Sequence, residues 1–276
     1  MRAKLDMGKA WNDATALLSR NKDVVWIMAG VFFFLPTAIV GMFAPQAEPA
    51  PPPTGATPEQ IISLMSEQLS TQYAQVWWIM ILAGIAQAIG VLAMLTLLTD
   101  RGRPTVGEAV KTGAVGVVSY LVAQIIFFLG LALVLGIVLG GGFAANMALG
   151  AVLIVPAMIL LVYASIKISL LAPVIAIEKQ LNPLAALSRS WQLTKGNSLM
   201  IFAFYILLFL VIFVISLIAG LLLNLFAAMG DSVGTIVLAL GQGLITMAYT
   251  SVIVAVMASI YYQLSGNIGS ASDVFE

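Results

Sequence analysis

LMIFAFYILLFLVIFVISLIAGLLLNLFAAM, from Leu199 to Met229, carries no charged residue, and its only polar side chains are Tyr205, Ser216 and Asn224. At about 1.5 Å per residue, a helix over this run exceeds the ~30 Å hydrocarbon thickness of a bilayer. A helix on the surface of a soluble domain is apolar along one stripe, whereas this one is apolar all round. The run reads as a transmembrane helix, so the bilayer is the solvent against which the rest of the chain is read.

Five more runs of the same kind lie to either side: Val24 to Phe43, Val76 to Leu98, Val115 to Leu139, Phe143 to Ile166 and Ser232 to Leu264. Charged residues make up 9% of the 276 positions and hydrophobic ones 61%. About a quarter of an ordinary soluble domain is charged, so these residues could not cover a water-facing surface. The expected fold is all-α: a polytopic membrane protein with six transmembrane helices and cytoplasmic interfacial amphipathic helices, forming one transmembrane domain over residues 1–276.

The basic residues assign sides. Arg2, Lys4, Lys9, Arg20 and Lys22 precede the first span, Arg101, Arg103 and Lys111 join the second to the third, and Lys167, Lys179, Arg189 and Lys195 join the fourth to the fifth. All twelve Lys and Arg therefore fall on one face. The opposite loops carry Glu48, Glu59, Glu67 and Asp231. The positive-inside rule places the basic face, with both termini, in the cytoplasm. Asp6, Asp13 and Asp23 make residues 1–23 unlike a cleavable signal, so the first span reads as an uncleaved anchor.

Between spans the pattern changes. Residues 44–75 form the long outer loop, Pro-rich through Pro49 and Pro51 to Pro53. An amphipathic helix follows, capped by Thr57 with Pro58 at its first position. It reads as a lid, or alternatively as a gate or partner-binding element. On the cytoplasmic side, residues 167–198 form an interfacial segment. Asn182-Pro183 starts a helix there with Leu184, Leu187 and Trp191 near one face, and Gly196-Asn197 ends it. Ile168 to Ile177 is too short to cross again; it either bends into the cytoplasm near Ser169, driven by Pro173, or lies in the interface. Basic lead-ins before the first, third and fifth spans suggest three helical-hairpin repeats, over 1–100, 101–178 and 179–276. The competing reading is that any hairpin entering from the cytoplasm carries such a lead-in.

The residue inventory narrows the chemistry. There is no His and no Cys, which removes imidazole catalysis, thiol chemistry and the usual zinc sites. The carboxylates stand singly, so no metal or cofactor is expected. Zero formal net charge gives no reason to expect nucleic acid as a partner. Gln87, Gln124, Asn146, Asn224 and Gln242 are the intramembrane amides; they are expected to serve as interhelical glue, or alternatively to touch lipid or substrate. The run Gly140-Gly141-Gly142 is expected to make a tight turn. Lys167 is expected to snorkel towards the headgroups. Arg189, Trp191, Lys195 and Lys167 are the candidate contacts to a lipid headgroup or a protein partner.

Ala172-Pro173-Val174-Ile175-Ala176-Ile177-Glu178, followed by Asn182 to Asn197 (NPLAALSRSWQLTKGN), resembles the signature of the glycerophosphodiester phosphodiesterase membrane-domain family and related six-helix bacterial envelope proteins. The resemblance implies a bacterial cytoplasmic-membrane protein. It does not imply phosphodiesterase activity, because that chemistry belongs to a soluble barrel to which no stretch of residues 1–276 corresponds. The expected function is non-catalytic lipid binding, lipid handling or envelope organisation. The alternatives are a small-molecule or lipid transporter or channel, and a structural or accessory subunit. The expected partners are membrane lipids, with a membrane protein or a second copy of the chain as further candidates.

Overall fold

The computed structural model describes residues 4–43, 55, 57–99, 104–227 and 231–266. Expectations that fall on Arg2, Arg101, Arg103, Glu48, the Pro-rich run and the last residues of the chain lie outside these. Among the described residues every regular element is helical: α1 (Met7–Arg20), α2 (Lys22–Ala29), a π-helical turn (Gly30–Phe34), α3 (Leu35–Phe43), α4 (Pro58–Thr99), α5 (Val106–Ala145), α6 (Met147–Lys167), α7 (Leu171–Ile177), α8 (Pro183–Thr194), α9 (Ser198–Ala227) and α10 (Asp231–Ser265). Six stretches are long and apolar enough to cross a membrane: Lys22–Phe43, Tyr73–Thr99, Val106–Ala145, Met147–Ile177, Ser198–Phe226 and Val233–Ser265. The chain is an all-α, multi-pass membrane protein.

The chain forms two compact units. One comprises Met1–Trp26, Ala88–Ile212 and Ser251–Glu276, and the other Ile27–Gln87 and Phe213–Thr250. In the first, α5 carries α6, α7 and α8 against it. Gly113 lets two backbones approach: a Cβ there would lie 2.6 Å from the Ile89 carbonyl oxygen of α4. A Cβ on Gly116 would meet Ile175 of α7 at 3.1 Å. Helix α1 buries Ala10, Ala14 and Leu17, one helical stripe, and is tied down by hydrogen bonds. Ser259 Oγ donates to Ala10 O at 2.8 Å, and Leu5 N donates to Asn197 Oδ1 at 3.0 Å.

In the second unit the π-helical turn has an identifiable cause. Pro36 lacks an N–H, and its ring crowds the carbonyl one turn back. The chain widens just before it, and Leu35 N–H bonds Gly30 O, five residues earlier. Glycines again mark close contacts: a Cβ on Gly243 would lie 2.8 Å from the Phe34 ring, and one on Gly41 3.0 Å from Ala239 Cβ.

Three local expectations are corrected, and one open choice is decided. The outer amphipathic helix and the second span are one continuous helix, α4, because Ser70 to Gln75 contain no Gly or Pro to break it. Thr57 caps it as expected, with Gln60 N donating to Thr57 Oγ1 at 3.4 Å and Thr57 N to Gln60 Oε1 at 3.0 Å. The lead-in to the third span is likewise fused into α5, which opens on a Thr105–Glu108 capping box. Among the described residues, a separate lead-in helix therefore precedes the first and fifth spans but not the third. Gly140-Gly141-Gly142 are helical rather than a turn; where no water is available, a helix satisfies the backbone that a glycine loop would leave unpaired. The break falls instead on Asn146, a single extended residue whose side chain accepts from Leu149 N at 2.7 Å. Of the two readings of Ile168 to Ile177, the structure takes the bend: the helix turns at Ile168 to Leu170, around Ser169, and α7 is buried in the core of its unit.

Candidate functional site

Helix α8 starts as its sequence dictates. Asn182 Oδ1 accepts from Leu184 N at 3.0 Å and from Ala185 N at 3.2 Å, and Pro183 occupies the first turn. At its other end Gly196, at φ +92°, takes the left-handed conformation that stops the helix. The face it buries is Ala186, Ser190, Leu193 and Thr194. Leu184 is exposed, and Trp191 is partly so. The reason is proximity: small and hydroxylated residues let α8 approach the end of α6, where Ser190 Oγ donates to Lys167 O at 2.8 Å.

Lys167, the last residue of α6, does not reach out from the chain as expected. It is 2% exposed, and its ammonium sits 5.1 Å from the centroid of the Tyr163 ring and 5.5 Å from that of Trp191. The two rings meet edge to face at 6.0 Å and 87°. Tyr163 lies one helical turn before Lys167, so helix periodicity stacks the two on one face, while Trp191 comes from α8. Ring quadrupoles stabilise a cation by about 0.5–2 kcal/mol each, depending on how far it is desolvated. Among the described residues, no oxygen hydrogen-bonds the Lys167 ammonium and no carboxylate pairs with it.

Arg189 is engaged elsewhere. Its Nε donates to Glu178 Oε1 at 2.9 Å and Oε2 at 3.1 Å, and the Tyr261 hydroxyl donates to the same Oε1 at 2.9 Å. Glu178 thus fastens α8 to the C-terminal part of α10. Lys195 closes α8 and is exposed. The four residues named from the sequence therefore separate: Lys167 and Trp191 come together, Arg189 is neutralised, and Lys195 stands apart. Sequence reasoning missed Tyr163, although its spacing from Lys167 was a usable signal. It also missed Glu178 and Tyr261, for which local spacing gave no signal.

The amides correct their expected role as interhelical glue. Gln87 alone bridges two helices, donating to Thr37 Oγ1 at 3.4 Å. Gln124 faces Tyr120 on its own helix, Asn146 caps α6, and Asn224 donates to Gly220 O one turn back at 2.8 Å. Gln242 is exposed on α10. An amide that reaches a carbonyl or hydroxyl on its own helix is satisfied without a neighbour, which removes the drive for interhelical bonding.

Beside the cluster, an open groove of about 470 Å³ runs between α6 and α9, lined by Met158, Val162, Tyr163, Ile166, Leu199 and Phe202 among others. Comparison of the chain with known protein families, with curated proteins and with solved structures finds no match.

Proposed function

We propose that this chain is a non-catalytic protein of the bacterial cytoplasmic membrane, with both ends in the cytoplasm, that binds and positions membrane lipid. The observation that carries the reading is Lys167: a buried cation against the Tyr163 and Trp191 rings, on a helix pair that leaves Leu184 and part of Trp191 exposed. A tryptophan that is apolar over most of its ring and polar at its N–H suits headgroup depth. The segregation of all twelve Lys and Arg to one face supports the cytoplasmic assignment. The resemblance of residues 172–197 to the phosphodiesterase membrane domain supports a bacterial envelope setting.

Native mass spectrometry of the chain released from its own membrane tests the proposal. Retention of one lipid headgroup class is the expected result. Loss of every lipid, with no change in thermal stability on adding lipid back, would sink it. A stoichiometric protein partner in place of lipid would move the chain to the accessory-subunit reading.

A further inference from the structure

We infer that the extended segment Lys4–Asp6 is a clasp that holds α1 shut against the end of α10 and the α8–α9 turn. When the clasp lets go, α1 swings out as one strap hinged at Asn21. The inference is independent of the lipid-binding reading above.

The segment is captured by its backbone. Asp6 is extended, at φ −103° and ψ 111°. Its N–H donates to Gln263 Oε1 at 3.0 Å, and Gln263 Nε2 donates to its carbonyl oxygen at 3.3 Å. One amide side chain thus engages both main-chain groups of one residue, as its paired donor and acceptor allow. One residue earlier, Leu5 N donates to Asn197 Oδ1 at 3.0 Å, and the Leu5 side chain is buried. Main-chain hydrogen bonds combined with a buried apolar side chain are how an extended peptide is held in a docking groove.

Asp6 also starts α1. Its Oδ1 accepts from Lys9 N at 2.9 Å and its carbonyl oxygen from Ala10 N at 2.9 Å, so clasp and helix move together. At the other end Asn21 is the single residue between α1 and α2, at φ −111° and ψ 19°. Its Nδ2 donates to Leu17 O at 2.9 Å, which closes α1 on itself. Between clasp and hinge the buried stripe is Ala10, Ala14 and Leu17. Two methyl groups serve the clasp half, where the Ser259 hydroxyl adds a bond to Ala10 O, and Leu17 lies one turn from the hinge. A segment held mainly by hydrogen bonds of modest net worth belongs to the low-stability end of a fold. Asn197 lies in the turn after α8, so a shut clasp also fixes the end of the helix that carries Trp191.

The chain has no cysteine, so one introduced thiol reports alone. Ala14→Cys places it in the buried stripe of α1, and Ala172→Cys places it in α7, to which no clasp bond runs. The test is maleimide labelling of the full chain in detergent. Both thiols are expected to react slowly while the clasp is intact. N197A combined with Q263A is expected to speed labelling of A14C by roughly tenfold or more, the factor that three hydrogen bonds supply at the low end of their net value. A172C is expected to keep its rate. No acceleration at A14C overturns the inference. So does equal acceleration at A172C, which would make the effect a general loosening. Hydrogen exchange in the cysteine-free chain is the second arm. An undocked helix of 14 residues is marginal in water, so the amides from Ala10 to Arg20 are expected to exchange faster together in N197A/Q263A, with α7 unchanged. Exchange that rises only up to Lys9 would be fraying and overturns the hinge; unchanged exchange throughout α1 overturns the clasp.

Discussion

Helices α9 and α10 are neighbours in sequence and opposites in surroundings. The span in α9 is the most apolar of the six, yet the rest of the chain covers only 6% of its apolar window. The span in α10 is the least apolar, and 56% of its window is buried. In a water-soluble protein the correlation would run the other way, because burial there follows hydrophobicity. Here the surrounding lipid is as apolar as leucine, so a helix that faces it keeps large aliphatic side chains on all sides. A helix that faces protein trades them for small residues that allow close approach. Ala255, Ala258 and Ser259 of α10 are buried, while Leu221, Leu225 and Phe226 of α9 are exposed.

The sharpest way to break this contrast is truncation. Ile260→Ala on α10 empties a fully buried position and is expected to cost about 3 kcal/mol. Leu221→Ala on α9 removes as much hydrocarbon but is expected to stay within ~0.5 kcal/mol, because its atoms meet lipid or detergent in either case. Reversible unfolding in one detergent measures both, and equal losses would end the comparison. Enlargement comes next. Ala258→Leu should destabilise by roughly 1–3 kcal/mol through overpacking. Gly220→Leu on α9, where an added Cβ meets nothing within 4 Å, should leave the melting midpoint in place. A smaller effect is expected from Ser259→Ala, about 1 kcal/mol, because its hydroxyl ties α10 to Ala10. The smallest is Tyr205→Phe on α9. Its buried hydroxyl faces the Ser169 side chain without a well-formed hydrogen bond, so the change should stay within ~1 kcal/mol of the wild type. A clear loss in Tyr205→Phe would show that the contact with Ser169 is a hydrogen bond in the membrane.

The spans were legible because runs of about 20 apolar residues dominate any local preference. Caps were legible too: Thr57 and Asn182 each announce a helix start through short-range chemistry. Helix continuity was less so. Whether Ser70 to Gln75 bend or continue depends on weak propensities, which the helix on each side decides. The glycine run misled because glycine's preference for turns is a property of chains in water. At the candidate site, Lys167 and Trp191 were named from residue type alone, but their meeting depends on the bend at Ile168 to Leu170 and the return of α8. No periodicity encodes that long-range contact, nor the link from Glu178 to Tyr261.

The one-residue break at Asn146 bears on how the protein is made. From Thr112 to Ile166 the sequence contains no charged residue, and the reversal between α5 and α6 spends a single extended residue. A nascent hairpin of this kind offers a bilayer one amide at its leading tip, already bonded to the backbone of the returning helix. Its two legs can therefore move into the membrane together, with no hydrophilic loop to drag across.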